Sequence, residues 1–361
     1  MQVHRIAVIR GDGIGPELVD ATVSVLDALT AGSAFSFEYH YVEAGAGAYA
    51  RTGTACSAED LDYIATTAEA TLKGPVGLPD VRFPDGTEAG VLGGILRTGL
   101  DTYANIRPML LLPGVGSCLA GRDLGDIDYV IVRENTEGLY ASRGKGVGNR
   151  QAMADTLLAT REGTTRVCRR AFEIAARRDG APADGVRRVT CVDKANVLRS
   201  HAFFREIFFE VAAGYPDIAA DCVHADAAAQ ELVLRPERFD VLVMENFLGD
   251  ILSDLGGATV GGISLCPSGN LGDGAAYFEP IHGSAPSLAG KDVANPVGQL
   301  LAAGMLLDHL GLAEAGDRLR AAVAGVLADG TVRPERDGSV RGGAGAVAGA
   351  VIAALGVGTR A

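Results

Sequence analysis

The chain contains no tryptophan, few cysteines and no apolar run as long as a membrane span. A membrane-crossing helix needs roughly 18 or more apolar residues in succession, so no transmembrane segment is expected. The N-terminal residues run directly into a strand-like segment and lack the charged, apolar and small-residue order of a signal peptide. These absences predict a cytoplasmic protein.

Cysteine is scarce, and no two cysteines form a Cys-x-x-Cys pair. Their irregular spacing predicts reduced thiols rather than a disulfide framework or a zinc site. The six are Cys56, Cys118, Cys168, Cys191, Cys222 and Cys266.

Positive charge is also in deficit, because the formal net charge is -13. Nucleic-acid affinity comes mainly from lysine and arginine on phosphates, so a nucleic-acid partner is not expected. An acidic protein that handles small anions must gather its cations locally. With 361 residues, 48% hydrophobic and 21% charged, the chain is typical of one large globular domain or two intertwined ones.

Short β-branched runs alternate with longer helical patterns, which predicts an α/β fold. A glycine-dense stretch at 86–94 predicts a mobile loop leading into a short helix, and 141–151 predicts an exposed hairpin. No linker divides the chain. Strands are predicted at 5–9, 128–132, 188–192 and 240–244, and helices at 16–30, 164–178, 250–258 and 296–310.

The first glycine cluster, Gly11-Asp12-Gly13-Ile14-Gly15-Pro16-Glu17, lies between a strand and a helix. A dinucleotide-binding Rossmann loop needs Gly-x-Gly-x-x-Gly, and here the third glycine comes one residue early. The strand ending in an acidic residue about twenty residues later is also missing. The cluster therefore predicts a tight strand-to-helix turn.

Asp250 and Asp254 are four residues apart, so on a helix their carboxylates share one face. Such a pair most often lies on the solvent-exposed face of a helix. Here a buried strand precedes it, and α/β proteins place ligands at the ends of such strands. Hard oxygen donors suit Mg²⁺ or Mn²⁺ better than zinc.

Arg97, Arg107 and Arg133 follow or lie within apolar segments. Arginine forks bind carboxylates through two hydrogen bonds, so three converging arginines would suit a dicarboxylate. Each one alone is most simply a surface residue. The same holds for Lys194, although a partly desolvated lysine near a divalent cation can act as a base.

Five segments occur together in a fixed order, and through them the chain resembles the isocitrate/isopropylmalate dehydrogenase family of β-decarboxylating dehydrogenases. The resemblance covers residues 5 to about 350. The segments are 11–17, 101–108, 133–140, 246–254 and Phe278-Glu279-Pro280-Ile281-His282-Gly283-Ser284-Ala285-Pro286.

The resemblance implies a two-domain fold unrelated to the Rossmann fold, in a homodimer with shared active sites or a higher oligomer built from it. Residues 1–103 and 259–361 would form a discontinuous cofactor-binding domain. Residues 104–258 would form a central domain with the dimer interface, from which an exposed arm around 136–160 projects.

The resemblance also implies roles for single residues. Arg97, Arg107 and Arg133 would bind the carboxylates of a malate-type substrate. Tyr140 would be the catalytic acid, and Lys194 the base supplied by the other subunit. Metal ligands would be Asp226, also supplied by the other subunit, with Asp250 and Asp254. The cofactor would be bound by Glu279, His282, Gly283, Ser284, Ala285, Pro286, Ser287 and Asn295.

The implied reaction is oxidation and decarboxylation of a 3-substituted malate. Family members place larger or polar side chains before the first arginine, whereas this chain has Gly90, Gly93 and Gly94 there. We therefore expect either an unusual substituent on the substrate or a neighbouring loop that fills the space. Arg82 on the same loop could meet an anionic group, but a solvated side chain is the simpler interpretation. Because no cation follows the cofactor loop at Ser287, NAD is favoured over NADP. A tartrate- or malate-type dehydrogenase and a non-catalytic regulatory subunit of a heteromeric isocitrate dehydrogenase are the alternatives.

Overall fold

A computed structural model describes residues 2–84 and 86–356. Strands and helices alternate along most of these residues, as the sequence pattern predicts. The strands are β1 Gln2–Ile9, β2 Phe35–Val42, β3 Ala70–Lys73, β4 Ala104–Leu110, β5 Asp128–Glu134, β6 Val147–Gly148, β7 Met153–Ala154, β8 Arg188–Asp193, β9 Ala219–His224, β10 Val241–Met244, β11 Pro267–Leu271 and β12 Ala276–Pro280.

The α-helices have between 7 and 16 residues. A π-helix at Gly93–Gly99 and 3-10 turns such as Leu139–Ser142 complete the helical elements used below. The α-helices are α1 Gly15–Thr30, α2 Ala46–Thr52, α3 Ala58–Thr66, α4 Arg161–Ala175, α5 Arg199–Ala212, α6 Ala225–Leu234, α7 Asn246–Thr259, α8 Val297–His309, α9 Ala313–Ala328 and α10 Gly343–Ala354.

Ten of these strands form one mixed sheet in the order β2-β1-β3-β12-β11-β4-β5-β10-β8-β9. The outer strands pair in parallel on both sides. In the middle, β12, β11, β4 and β5 pair antiparallel. Helices cover the parallel wings, which explains why strands such as β1 and β10 contain runs of fully buried residues.

Three apolar clusters surround most of the sheet. The largest joins β1 and β3 to α1, α8, α9 and α10. Two others lie on the opposite faces of the central strands, one against α4 and α5 and one against α6 and α7. The α/β class is therefore confirmed, while the division at residues 103/104 and 258/259 stays a prediction.

Pro108 lies inside β4, although proline cannot donate a hydrogen bond to a neighbouring strand. The register explains how the sheet accommodates it. Strand β11 pairs with β4 only at 104–106, whereas β5 continues alongside to Leu110. Pro108 therefore lies where β4 has a partner on one side only, immediately after Arg107.

The predicted elements are present, and two helices begin earlier than expected. Helix α4 begins at Arg161 because the Thr160 side chain accepts a hydrogen bond from the backbone of Gly163. Helix α7 begins at Asn246 rather than at 250 because Glu245 accepts from the backbone of Phe247 and Leu248.

The predicted hairpin is present as β6 and β7, which pair antiparallel on an arm of the molecule. Its base is closed by a bridge between Gly138 and Leu158 and by hydrogen bonds between Ser142 and Thr156. Within the described ranges, no helix combines the length and apolar character needed to cross a bilayer.

Candidate active site

Arg107 and Arg133 lie on neighbouring antiparallel strands, β4 and β5. In the register, Arg133 is opposite Asn105 and Arg107 is opposite Ile131. Because side chains two residues apart on paired strands share a face, both guanidinium groups emerge on the same side. Both arginines are almost completely buried. The sheet therefore fixes two positive charges side by side.

Helix α7 brings its two aspartates to these arginines. Arg133 donates to the Asn246 side chain at 2.7 Å and 3.1 Å and pairs with Asp250. Arg107 Nη1 lies 3.8 Å from Asp250 and 4.0 Å from Asp254. Arg107, Arg133, Asp250 and Asp254 are called the buried cluster below.

Gly249 allows this close approach between helix and strand. A Cβ atom at that position would lie 2.5 Å from Cγ of Arg133, a distance that side chains do not tolerate. A glycine here therefore lets the stem of Arg133 pass against α7, so that its guanidinium reaches Asn246 and Asp250.

Burial and neighbouring charges shift the pKa values of the buried cluster. Burial, together with the positive charges of Arg107 and Arg97, lowers the pKa of Arg133 to about 9. Burial raises the pKa of Asp250. The charge of Arg133 and the hydrogen bond that Asp250 accepts from Tyr140 lower it by more, so the net pKa falls below the usual value. Burial raises the pKa of Asp254. An anion beside the arginines and a cation beside the aspartates would relieve both effects.

Arg97 lies on the π-helix at Gly93–Gly99, next to the same space. Its Nε is buried without a hydrogen-bond partner. Burial lowers its pKa, but Tyr277 and Glu279 more than compensate, and the net pKa is raised. Arg97 and Arg107 line a cavity of about 210 Å³. All three predicted arginines are thus brought together.

A buried ion pair at the floor of this cavity was not predicted from the sequence. Lys73, the last residue of β3, pairs with Glu279 on β12, and both line the cavity. Asn270 also donates to Glu279, at 3.2 Å. The resemblance predicts that Glu279 binds the cofactor, but here its carboxylate is bound by Lys73 and Asn270 of the same chain. The sequence signal for this ion pair was Lys73 itself, a lysine at the end of a strand whose residues are all buried.

Tyr140 belongs to the 3-10 turn Leu139–Ser142 and remains 39% exposed. Its hydroxyl donates to Asp250 at 2.7 Å, and its ring packs edge-on against Phe247. Burial and the hydrogen bond to Asp250 raise its pKa. The phenol therefore stays protonated at neutral pH and lies beside the buried cluster.

Lys194 and Asp226 lie elsewhere, after β8 and at the start of α6, and form an ion pair of 2.5 Å. Their side chains are 32% and 72% exposed, and they are called the exposed pair below. Among residues 2–84 and 86–356, no three His, Cys, Asp or Glu side chains meet in a group that could hold a metal ion. One chain alone therefore does not assemble the predicted set of Asp226, Asp250 and Asp254.

The turn at residues 11–15 supports the site through Asp12. Its carboxylate accepts from the backbone of Ala46, Gly47 and Gly77, each at 2.8 Å. Gly13 has φ +58°, and a Cβ there would lie 2.0 Å from the Ser284 carbonyl. The predicted tight turn is confirmed. Through Asp12 it joins the start of α2 to the loop at Gly77, and it is not a Rossmann phosphate site.

The residues after β12 line a second cavity of about 420 Å³, among them His282, Gly283, Ala285 and Asn295. His282 has a buried, unpartnered Nε2, and burial lowers its pKa, so the ring that lines this cavity is neutral at pH 7. Ser284 is buried and donates to the Gly77 carbonyl at 2.5 Å. Pro286 and Ser287 are exposed and lie outside the lining of this cavity.

Comparison with known proteins decides the family. The isocitrate/isopropylmalate dehydrogenase profile matches residues 5–337. The chain belongs to this family. It is 44% identical over 345 residues to the 3-isopropylmalate/3-methylmalate dehydrogenase of Methanocaldococcus jannaschii, covering 94% of this chain and 95% of that one. It is 41% identical over 338 residues to the isocitrate/homoisocitrate dehydrogenase of Thermus thermophilus, covering 93% and 94%.

Solved structures agree with this assignment. Isocitrate dehydrogenase from Methylococcus capsulatus superposes with a TM-score of 0.84 at 37% identity, covering 98% of this chain and 99% of that chain. A β-decarboxylating dehydrogenase from Thermococcus kodakarensis gives 0.77 at 40% identity, covering 98% and 96%. The protein is thus an enzyme, a dehydrogenase of the β-decarboxylating class.

The glycines before Arg97, which the family resemblance links to substrate choice, have different structural roles. Gly90 has φ +73°, and a Cβ there would lie 2.3 Å from the Ala46 backbone, so its role is conformational. Gly94 has open space around it and does not line the cavity. Gly93 does line it. Of the three glycines that were expected to leave the pocket open, Gly93 is therefore the one that lines it.

Two further arginines of this dehydrogenase change the sequence-based picture. Arg82 donates to the carbonyls of Pro79 and Gly86 and so holds its own loop together. Arg336 lines the second cavity, from a segment remote in sequence from the cofactor loop. The absence of a cation after Ser287 therefore does not mean that the cavity lacks one. Asp337 lines the cavity as well and offsets that charge.

Proposed function

We propose that the protein catalyses the NAD- and divalent-metal-dependent oxidative decarboxylation of a 3-substituted malate. The buried cluster carries this proposal. Two arginines and two aspartates share one end of the sheet, beside a cavity that Arg97 also lines. Binding a dicarboxylate next to a metal ion needs both kinds of charge in one place.

The aspartates fit a hard divalent cation. Asp250 and Asp254 present carboxylate oxygens from one face of α7, and the Asp254 side chain is 61% exposed and open to a ligand. A third ligand, Asp226, would come from the exposed pair of a second subunit. When bound, the metal ion would supply Lewis acidity to the substrate oxygens, and the nicotinamide would accept the hydride.

The arginines would hold the two carboxylates of the malate. Arg107 and Arg133 are fixed by the sheet, and together with Arg97 they place three positive charges beside the two carboxylates of α7, a surplus of one. An incoming carboxylate would neutralise this surplus and could accept two parallel hydrogen bonds from a guanidinium fork. The substrate would thus be held before any bond changes.

Two groups would move protons. Lys194 of a second subunit would take the proton of the 2-hydroxyl as the 2-ketone forms. Carbon dioxide then leaves from the carboxylate β to that ketone, and the electron pair of the broken C–C bond forms an enolate. Tyr140, whose raised pKa keeps it protonated, would deliver a proton to C3.

The second cavity suits the adenosine part of NAD. His282 is neutral and has a free ring nitrogen, and Asn295 and Ala285 line the same space. Arg336 alone would favour the 2′-phosphate of NADP, but the carboxylate of Asp337 at the same cavity opposes a second negative charge. NAD is therefore the proposed cofactor.

A panel of malates tests this function. Malate, tartrate, and 3-methyl-, 3-isopropyl- and 3-carboxymethylmalate would each be assayed with NAD⁺ or NADP⁺ and Mn²⁺, following NADH or NADPH and CO₂. We expect oxidation with CO₂ release, higher kcat/KM with NAD⁺, loss on chelation and recovery with Mg²⁺ or Mn²⁺.

Three results would contradict parts of the proposal. Full activity in excess chelator would remove the metal from it. No turnover of any substrate would favour a regulatory subunit, and oxidation of malate or tartrate without CO₂ would favour the simpler dehydrogenase.

A further inference from the structure

A fourth arginine, Arg143, reaches the cavity that Arg97 and Arg107 line. It comes from the arm, directly after the 3-10 turn that carries Tyr140. Its Nη1 lies 3.7 Å from the point where a Cβ atom on Gly93 would stand. The guanidinium therefore lies over Gly93, which also lines the cavity.

Among the residues that the structure describes, Arg143 differs from Lys73 and Arg107 of the same cavity because it has no acidic partner. Lys73 is paired with Glu279, and Arg107 lies within 4.0 Å of Asp254. The Arg143 side chain makes no hydrogen bond and no ion pair within residues 2–84 and 86–356. It is exposed, so it can reorient toward an incoming anion without breaking an existing contact.

The position of Arg143 relative to Tyr140 indicates which part of the substrate it would meet. Side chains three residues apart on a 3-10 turn lie on the same side. Tyr140 is the proposed proton donor to C3, the carbon that also carries the substituent. A group on C3 would therefore project along the turn, between Gly93 and Arg143.

We propose that Arg143 is a specificity-determining residue that binds an anionic group on the C3 substituent of the substrate. The inference rests on the proposed function. A carboxylate-bearing substituent would use the space above Gly93 and pair with Arg143, whereas an alkyl substituent would meet a charged group there. The preferred substrate is thus a 3-(carboxyalkyl)malate, in which a third carboxylate adds to the two of the malate.

The test compares wild-type enzyme with Arg143→Gln on 3-carboxymethylmalate and 3-methylmalate. A lost hydrogen-bonded charge pair corresponds to a loss of about ten- to a hundredfold in kcat/KM. We expect this loss, mainly through KM, on the carboxymethyl substrate and less than about a twofold change on the methyl substrate. Arg143→Lys should restore part of the preference. Lys145→Gln removes one charge from the same arm and should leave both substrates unaffected.

Failure of this inference can be distinguished from failure of the proposed function. If the wild-type enzyme oxidises 3-methylmalate and Arg143→Gln lowers kcat/KM equally for both substrates, or for neither, the role of Arg143 is refuted while the reaction stands. A wild-type preference for the methyl substrate refutes it as well. If no malate is oxidised by any variant, the proposed function itself fails.

Discussion

The buried cluster and the exposed pair contain similar charged residues but are held in different ways. Arg107 and Arg133 are fixed on paired strands and sealed against α7. The Lys194 and Asp226 side chains form an ion pair with each other and are much more exposed. The buried cluster offers fixed positive charges to a carboxylate, whereas the exposed pair is an ion pair at the surface.

This difference suggests why the active site would need two chains. A base and a third metal ligand are useful only beside the substrate, and in a single chain neither is placed with the buried cluster. If the buried cluster of a second subunit lies opposite the exposed pair, Lys194 and Asp226 should be exposed in a single chain, as they are. The following predictions test that contrast, beginning with the largest expected effect.

Asp250→Asn and Asp226→Asn should both abolish most activity, by more than about a hundredfold, because each removes a proposed metal ligand. Only Asp250→Asn should also lower the stability of the monomeric fold. It leaves the buried Arg133 without its carboxylate and should cost about 1–3 kcal/mol, reduced from the fully buried case because Asp250 is 39% exposed. Urea unfolding and NADH assays measure the two effects.

The pH dependence sharpens this comparison. The pKa of Asp250 lies below its ordinary value of 3.8 in the folded chain, so the unfolded chain binds that proton more tightly. The stabilisation is therefore complete above pH 3.8 and is lost as the pH falls through the folded pKa. In Asp250→Asn this part of the acid sensitivity should disappear. An unchanged unfolding free energy in Asp250→Asn at neutral pH would contradict the account of the buried cluster.

A smaller effect is expected at the glycines before Arg97. Gly93→Leu would fill the space below Arg143 and should shift kcat/KM from 3-carboxymethylmalate toward 3-isopropylmalate, by about 0.8 kcal/mol for each CH₂ newly buried. Gly94→Leu is the matched control, because Gly94 has open space around it. If both variants behave alike, Gly93 does not determine the size of the cavity.

The sequence predicts the residues of the site better than the bounds of the helix that carries its aspartates. Arg97, Arg107, Arg133, Asp250 and Tyr140 were identified through the motif resemblance, and the fold brings them together. The start of α7 was placed too late because its capping residue is Glu245, which is not among the usual capping residues.

Other features could not be predicted because they depend on contacts between distant segments. Lys73 is a lone lysine in the sequence and becomes an ion-pair partner only because β3 lies beside β12. Gly90 and Gly93 look equivalent in sequence, yet the first is required by a positive φ and the second opens a cavity. Arg143 reaches that cavity only because the arm folds over it.

The most direct test of the shared site mixes two inactive proteins. Lys194→Met lacks the proposed base and Tyr140→Phe lacks the proposed acid, while each keeps the residue that the other has lost. After subunit exchange, verified with differently tagged chains, hybrid dimers should contain one site with both groups intact and recover NADH production well above either parent. If exchange is verified and activity never exceeds that of the parents, Lys194 does not act across the subunit interface.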